Sequence, residues 1–477
     1  MLALQSTRVL PRQLTSTAQR TAHLIGIAGA GMQSLAEALV DQGWTVTGSD
    51  LAPEQARWLW SKGVLVHRGH AARQMPADAR LVVYSDAVGV ENPERQRAHE
   101  LGLPEYSYPQ MVGELMKGRI GLAVAGTHGK STTTALTAEI LIAAGLDPSV
   151  IGGGTPLGQT SGGRHGQGRY LLAEACEYHR NFLHLCPRLA ALTGIEPDHF
   201  DCFPSDAELT AAFGDFVRRL PRSGTLVLNA DCPVARKVAG MTRARIVTYG
   251  LDAPADWRAE ILSQNGGRFQ VDLLRPGGRI AKISLSLPGR HNLQNALAAA
   301  ALAAQAGAGD EAIAQGLTRF AGLARRLERV GLWREAAWYD DYAHHPTAVR
   351  ATLATVRQMF PSRRIWCIFQ PHQVSRTRRL LDEFAASLQN ADRVAIAEVF
   401  PAREMPGPAC SAVAAELAER TRAQGTDVLG GHTLDRLADE VGEEVAAGDV
   451  LLTLGAGDIR KIWNATARRI RTYRAAG

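Results

Sequence analysis

Lysine is scarce in this chain. Only six of its 53 Lys and Arg residues are lysine, at positions 62, 117, 130, 237, 282 and 461. No long basic run occurs, and 47 acidic residues reduce the formal charge to +6 over 477 residues. That excludes a basic arm or stripe and leaves no electrostatic footing for nucleic acid. Cysteine is also sparse: positions 176, 186, 202, 232, 367 and 410 form no CxxC pair. A disulfide framework and a cysteine-built zinc site are thereby disfavoured, and reduced thiols of a cytoplasmic protein are expected. Long apolar runs are missing. The longest, Ala296–Ala304, is Ala-rich and too short to span a bilayer, so it reads as a tightly packed helix. Residues 1–20 carry Arg8, Pro11, Arg12 and Arg20 but no continuous apolar stretch of the kind an export signal needs.

What is present suits a large globular protein. At roughly 100–200 residues per domain, this length predicts about three domains. With 45% apolar and 21% charged residues, each can bury a core. His23–Ile27 reads as a buried strand, followed by Gly26-Ile27-Ala28-Gly29-Ala30-Gly31, a helix through Gln42 and a second strand ending at Ser49-Asp50. That is a βαβ unit, and residues 21–115 are expected to form an open parallel sheet. A new strand, Ile120–Ala125, leads into Gly126-Thr127-His128-Gly129-Lys130-Ser131 and a helix to about Ala144. Tyr170–Ala173, Leu189–Thr193 and Thr225–Leu228 are further strands. Residues 245–288 change to β-branched runs between Gly-Gly turns, predicting a small antiparallel appendage. Asn292–Ala306 returns to helix. Strand–helix alternation then resumes at Trp338–Asp341, Ile365–Phe369, Val394–Val399 and Val450–Leu454. The predicted domains are 1–118 (with 1–20 a flexible extension), 119–325 and 326–477.

The loop at 126–131 is the most informative segment. A strand that ends in a glycine-rich turn and opens a helix aims backbone N–H groups and the helix dipole at an anion. Lys130, Ser131 and Thr132 would then meet phosphates and Mg²⁺. The general P-loop motif is not met, because Val124 occupies the position of its first glycine. No NKxD signature supports a GTPase. Beyond the loop, Glu174 ends one apolar strand, and Ile195-Glu196-Pro197-Asp198-His199 follows another; strand C-terminal ends are where such sheets place ligands. Mg²⁺ favours oxygen, so Glu174 is the first candidate ligand and His199 the second. In the first βαβ unit, Asp50 lies 24 residues after Gly26, placed either to hold a ribose or to cap a turn. Asn292 and Asn295 share a helical face, to cap the helix or to read an adenine edge. Tyr339-Asp340-Asp341-Tyr342-Ala343-His344-His345-Pro346 and Phe369-Gln370-Pro371-His372, with Ser375-Arg376-Thr377, gather titratable groups at two strand ends. A His pair binds carboxylate or takes a proton, and an Arg suits capture of an amino-acid carboxylate.

Taken in order over residues 23–470, these segments resemble the Mur ligases, the ATP-dependent amide-bond-forming enzymes of peptidoglycan precursor synthesis. The compact G-T-H-G-K-S loop, Glu174-Ala175-Cys176-Glu177-Tyr178, Ile195–Asp201, Gly289–Ala296, the D-D-Y-A-H-H-P and Q-P-H-x-x-S-R-T segments and Gly455-Ala456-Gly457-Asp458-Ile459 carry the likeness. Three departures stand out: Gly194 replaces an Asn of the family, Gln373 a second Arg found in some members, and Gln33-Ser34 a small Ser-Gly pair.

The resemblance implies a three-domain α/β architecture: a Rossmann-like UDP-sugar domain, a central P-loop-type ATPase domain and a Rossmann-like C-terminal domain. It implies a ligase joining L-alanine to UDP-N-acetylmuramate through an acyl phosphate, using ATP and Mg²⁺, as a monomer or homodimer. By the same resemblance Lys130, Glu174, His199 and His344 are catalytic, and Ser131, Glu174 and His199 hold Mg²⁺. Gly126, Thr127, His128, Gly129, Lys130, Ser131, Thr132, Asn292, Asn295, Arg326 and Asp341 would bind ATP. Gly29, Gly31, Asp50, Ser85, Tyr342, His345 and Arg376 would bind substrates. The alternatives are a recycling ligase that attaches a preformed peptide to the same sugar nucleotide, and a non-catalytic UDP-sugar-binding ATPase.

Overall fold

A computed structural model describes residues 20–462. The expected extension at 1–20 and the last fifteen or so residues therefore lie almost wholly outside the described residues. The chain forms two compact units.

The first unit takes in the chain up to Glu196, Ala207–Arg258 and Asn295–Arg319. It holds two sheets. One is five-stranded and wholly parallel, in the spatial order Leu65–Arg68, Thr45–Asp50, Thr21–Ile25, Ala79–Tyr84, Glu105–Ser107. The chain reverses direction of travel across the sheet between Thr21–Ile25 and Ala79–Tyr84, so the turn after Ile25 stands at the topological switch point. The other sheet has seven strands: Arg245–Tyr249, Thr225–Asn229, Leu189–Leu192, Ile120–Ala125, Tyr170–Ala175, Ser149–Ile151 and Gly163–Arg164. All its pairs are parallel except the last. Ile120–Ala125 is central and buried, as an apolar run without alternation requires of a strand covered on both faces.

The two sheets are stitched together. Ser34, on the helix Ala30–Asp41, donates to the carbonyl of Gly152 at 2.6 Å. Gly163 comes so close to that helix that a Cβ there would lie 2.3 Å from the Ser34 carbonyl oxygen. Ala296–Ala303 is buried throughout, as its Ala-rich composition predicts for a close-packed helix.

The second unit takes in Pro197–Asp206, Ala259–Gln294 and the chain from Phe320. Its main sheet runs Glu328–Trp333, Ala336–Asp341, Val450–Leu454, Ile365–Phe369, Arg393–Ala397, Asp427–His432. Only the first pair is antiparallel. Ile365, Cys367 and Phe369 point into one core, Trp366 and Ile368 into the opposite one, so both faces are covered. The appendage expected over 245–288 is a separate sheet of Arg258–Asn265, Arg268–Arg275 and Gly278–Ser284, but Arg245–Tyr249 is not part of it and pairs in parallel at the edge of the seven-stranded sheet.

Candidate active site

Register places the phosphate loop. In the seven-stranded sheet Ala125 pairs with both Leu192 and Ala175, so three strand ends open side by side. Gly126 leaves the central strand at φ +134°, and a Cβ there would lie 2.1 Å from Thr193 Oγ1. Thr193 in turn donates to the His128 carbonyl at 2.5 Å, while Thr127 Oγ1 donates to the Glu196 carbonyl and accepts from the Glu196 N–H, both at 3.0 Å. His128 Nε2 stands 3.3 Å from Glu196 Oε2. Gly129, at φ +79°, begins the helix Lys130–Ala143 without a side-chain cap. The first N–H groups of that helix are therefore left for an anion. Asn295 seals the other side: a Cβ on Gly129 would meet its Oδ1 at 2.3 Å, and Thr133 Oγ1 donates to that oxygen at 3.4 Å.

Lys130 turns back over the loop. Its Nζ donates to the carbonyls of Gly126 (2.5 Å) and Thr127 (3.2 Å) and to both oxygens of Glu177 (3.0 and 2.8 Å). Burial pulls its pKa down, but the Glu177 carboxylate outweighs that and raises it, so the ammonium stays charged. Glu177 escaped the sequence reading. Its signal was there: a scarce, buried lysine requires a counter-charge, and Glu-Ala-Cys-Glu offers two carboxylates around the end of one strand. The first of them, Glu174, accepts from Ser131 Oγ at 3.0 Å and from the Gly153 N–H at 2.9 Å. Ser131 and Glu174 thus form a pair of hard oxygen donors beside the loop, a set that fits Mg²⁺. Thr132 is buried in the first turn of the same helix. His199 belongs to the second unit, with its backbone at φ +53°.

In the five-stranded sheet, Gly26 (φ +80°) turns against Ser85; a Cβ there would lie 2.8 Å from Ser85 Cβ. Asp50 accepts from Ala28 N–H and Ala52 N–H, both at 2.9 Å, and so pins the glycine turn to the end of the second strand. Gly29 precedes the first helix, and Gly31 leaves no room for a side chain against the Tyr108 ring. Gln33, one of the departures, bridges the Ala28 carbonyl (2.7 Å) and Trp58 Nε1 (2.6 Å).

The second unit assembles the two late clusters. Asp341 is buried, accepts from Leu327 N–H (2.7 Å) and Ala343 N–H (2.8 Å), and is pushed up in pKa by burial, with Arg326 opposing. The guanidinium carbons of Arg325 and Arg326 lie 4.9 and 5.2 Å from the centre of the Tyr342 ring. His344 Nδ1 is 2.9 Å from the Tyr342 carbonyl. A carbonyl only accepts, so Nδ1 carries the proton and Nε2 keeps its lone pair. Burial, then the nearby Arg376, holds His344 neutral well below its usual range. His345 faces the Pro197 carbonyl at 3.2 Å and caps the next helix. Arg376 is buried and paired with Asp198 at 2.7 Å. Asn292 donates to the Pro288 carbonyl at 2.7 Å, at the start of the helix Arg290–Gln305.

Three consecutive stretches match family models: residues 21–120 the Mur ligase family catalytic domain, 124–303 the Mur ligase middle domain, and 325–457 the Mur ligase glutamate ligase domain. The chain is 40% identical over 452 residues to UDP-N-acetylmuramate–L-alanine ligase of Salinibacter ruber, covering 94% of each chain. The chain belongs to the Mur ligase family. Among solved Mur ligases, UDP-N-acetylmuramate-alanine ligase of Thermotoga maritima is 26% identical with a TM-score of 0.79, covering 96% of this chain and 100% of that one. The murein peptide ligase of Psychrobacter arcticus is 28% identical with a TM-score of 0.69, covering 94% and 98%. The three-domain Mur ligase architecture expected from the sequence is therefore the architecture of this chain.

Proposed function

We propose that this chain is an ATP-dependent ligase joining L-alanine to the lactyl carboxylate of UDP-N-acetylmuramate. The observation that carries this reading is 40% identity over 94% of both chains to a ligase of that name. Carboxylate and ammonium do not condense unaided in water, so the acid must be activated. Transfer of the ATP γ-phosphoryl group gives an acyl phosphate, which the amine then attacks with loss of phosphate. The work left to the protein is positioning and charge neutralisation.

The segments divide that work as domains 1–118, 119–325 and 326–477. Gly29, Gly31, Asp50 and Ser85 receive the UDP-sugar at the switch point of the five-stranded sheet. The uncapped helix start with Gly126, Thr127, His128, Gly129, Lys130, Ser131 and Thr132 takes the ATP phosphates, and Lys130 offsets their charge. On the same reading Asn292, Asn295, Arg326 and Asp341 also bind ATP. Ser131, Glu174 and His199 hold Mg²⁺, which supplies Lewis-acid neutralisation of phosphoryl charge when bound. On the amino-acid side, Arg376 takes the carboxylate, Tyr342 and His345 shape the site, and His344 Nε2 accepts the proton that the ammonium must lose. We read the enzyme as cytoplasmic; no described helix is long and apolar enough to cross a membrane.

ADP release is the test, with ATP, Mg²⁺ and UDP-N-acetylmuramate present and L-alanine, L-serine, glycine or the L-Ala-γ-D-Glu-diaminopimelate tripeptide added in turn. L-alanine alone should sustain turnover. Turnover with the tripeptide alone would favour the recycling reading, to which the likeness to the Psychrobacter arcticus peptide ligase gives weight. ATP turnover that ignores every amine would leave only a sugar-nucleotide-binding ATPase.

A further inference from the structure

Asp198 is a buried carboxylate of the second unit with several partners on one oxygen. One of its oxygens, Oδ1, accepts from Arg376 Nε at 2.9 Å and from the His199 N–H at 2.7 Å, and lies 2.7 Å from Arg376 Nη2. The side chains are only 3% (Arg376) and 7% (Asp198) exposed. On the far side of the guanidinium, Nη1 is 3.1 Å from His372 Nδ1. Burial, then Arg376 itself, pushes His372 down to about 4, so its Nδ1 is a neutral acceptor at physiological pH. A guanidinium has five N–H donors. These contacts take up Nε, one donor on Nη1 and at most one on Nη2. One N–H on Nη1 and one on Nη2 remain without an acceptor among the described residues, inside a group that is almost fully buried. Two such donors on the terminal nitrogens are the fork that binds a carboxylate with both oxygens.

We propose that Asp198 is the positioning residue of the amino-acid site: it holds Arg376 by its Nε–Nη2 edge while His372 meets Nη1, leaving donors on the terminal nitrogens for the carboxylate of the incoming amino acid. The inference rests on the reading that Arg376 receives that carboxylate. Asp198 has two further consequences. It balances the guanidinium charge when no amino acid is bound, because a buried cation without a partner is strongly disfavoured. It also ties Arg376 to the backbone of His199 through a single oxygen. The amino-acid anchor and the Asp-His turn are thereby held in register, so the carboxylate end of the amino acid is placed relative to the group that follows Asp198 in sequence.

The test is steady-state kinetics of the full chain carrying Asp198→Asn, Asp198→Ala or Arg376→Lys, with KM measured separately for L-alanine, ATP and UDP-N-acetylmuramate. Loss of a hydrogen bond to a charged group predicts an L-alanine KM raised about tenfold or more in Asp198→Ala, and about threefold in Asp198→Asn, which keeps an acceptor in place. The ATP and UDP-sugar KM values should stay within about twofold, since neither substrate meets this edge of Arg376. An unchanged L-alanine KM in both Asp198 variants overturns the proposal. So does an equal rise in all three KM values, which is the mark of general structural damage. If Asp198→Ala does not fold, Asp198→Asn decides alone by the same criteria. Arg376→Lys separates the two levels. Should it leave the L-alanine KM untouched, the amino acid is bound elsewhere and the reading beneath the inference fails; should it raise that KM while the Asp198 variants do not, only the role of Asp198 fails.

Discussion

At Lys130 one charge serves the fold and, on the function proposed above, the chemistry as well. The ammonium neutralises Glu177, which is 1% exposed, and it covers the loop carbonyls that face it. Lys130→Ala is expected to cut ADP formation by about a hundredfold or more, the scale of losing a preorganised charge at a phosphoryl group. It should also destabilise the fold by about 3 kcal/mol, because Glu177 is left as a buried carboxylate without its cation. The double variant Lys130→Ala with Glu177→Ala separates the two effects. Thermal melting should recover towards the parent while activity stays lost; a double variant as unstable as the single one would show that the ion pair is not what Lys130 stabilises. Two glycines nearby make a contrast. Gly126→Ala puts a Cβ 2.1 Å from Thr193 Oγ1 at a φ of +134° and should cost both folding and activity. Gly194, where the family carries Asn, has nothing within 4 Å of an added Cβ. Gly194→Asn should therefore leave stability within about 0.5 kcal/mol of the parent in a urea titration; a larger loss would mean that the space is not available.

Elements were legible where the pattern is local, and illegible where partners are distant in sequence. Ile120–Ala125 followed by a glycine turn and a helix announces itself, because strand, turn and helix are continuous and each obeys its own local rule. Glu174 at a strand end was equally plain. Glu177 was not, since its assignment depends on which lysine lies opposite, and 47 residues separate the two. Asp198 was read beside His199, yet its pairing with Arg376 spans 178 residues and follows only from the folded arrangement of the second unit. Ser34 shows the same limit. It looked like a local departure in the glycine turn, but its hydroxyl reaches Gly152 and locks the first helix onto the second sheet. That contact zone yields a prediction about elements rather than residues. Gly163→Val would drive a side chain into the backbone of the helix Ala30–Asp41, and overpacking of this kind costs about 2 kcal/mol. Urea unfolding should show that loss. Gly145→Ala and Gly163→Val should not behave alike: the first has no neighbour within 4 Å, so only its left-handed φ of +69° is at stake.

Across the whole molecule, buried histidines set the response to acid. His291 and His372 are both pushed down to about 4, in each case by burial first and by a neighbouring arginine second, and burial also holds His344 well below its usual range. In the unfolded chain these rings take up protons near pH 6.5, whereas in the folded chain His291 and His372 do so only near pH 4, and His344 is likewise shifted down. Between those limits the unfolded state binds more protons, so stability falls as pH falls. Asp198 adds to the same trend at lower pH. Burial alone would raise its pKa, but Arg376 and the histidines around it hold the carboxylate well below its ordinary range, and that stabilisation is lost as acid finally protonates it. The buried carboxylates Asp340 and Asp341, raised by burial, oppose this trend, so the rings' own contribution is a fall in melting temperature that begins below about pH 6.5 and grows towards pH 4. The His291→Gln variant, which has no ring to protonate, should show a shallower decline over this window. Identical slopes in the two proteins would mean that the His291 ring is not kept neutral by the fold. On the reading that His344 takes the amine proton, its neutrality at pH 6.5 means that catalysis should persist through the upper part of the same window, so the activity lost on acidification should track unfolding rather than precede it.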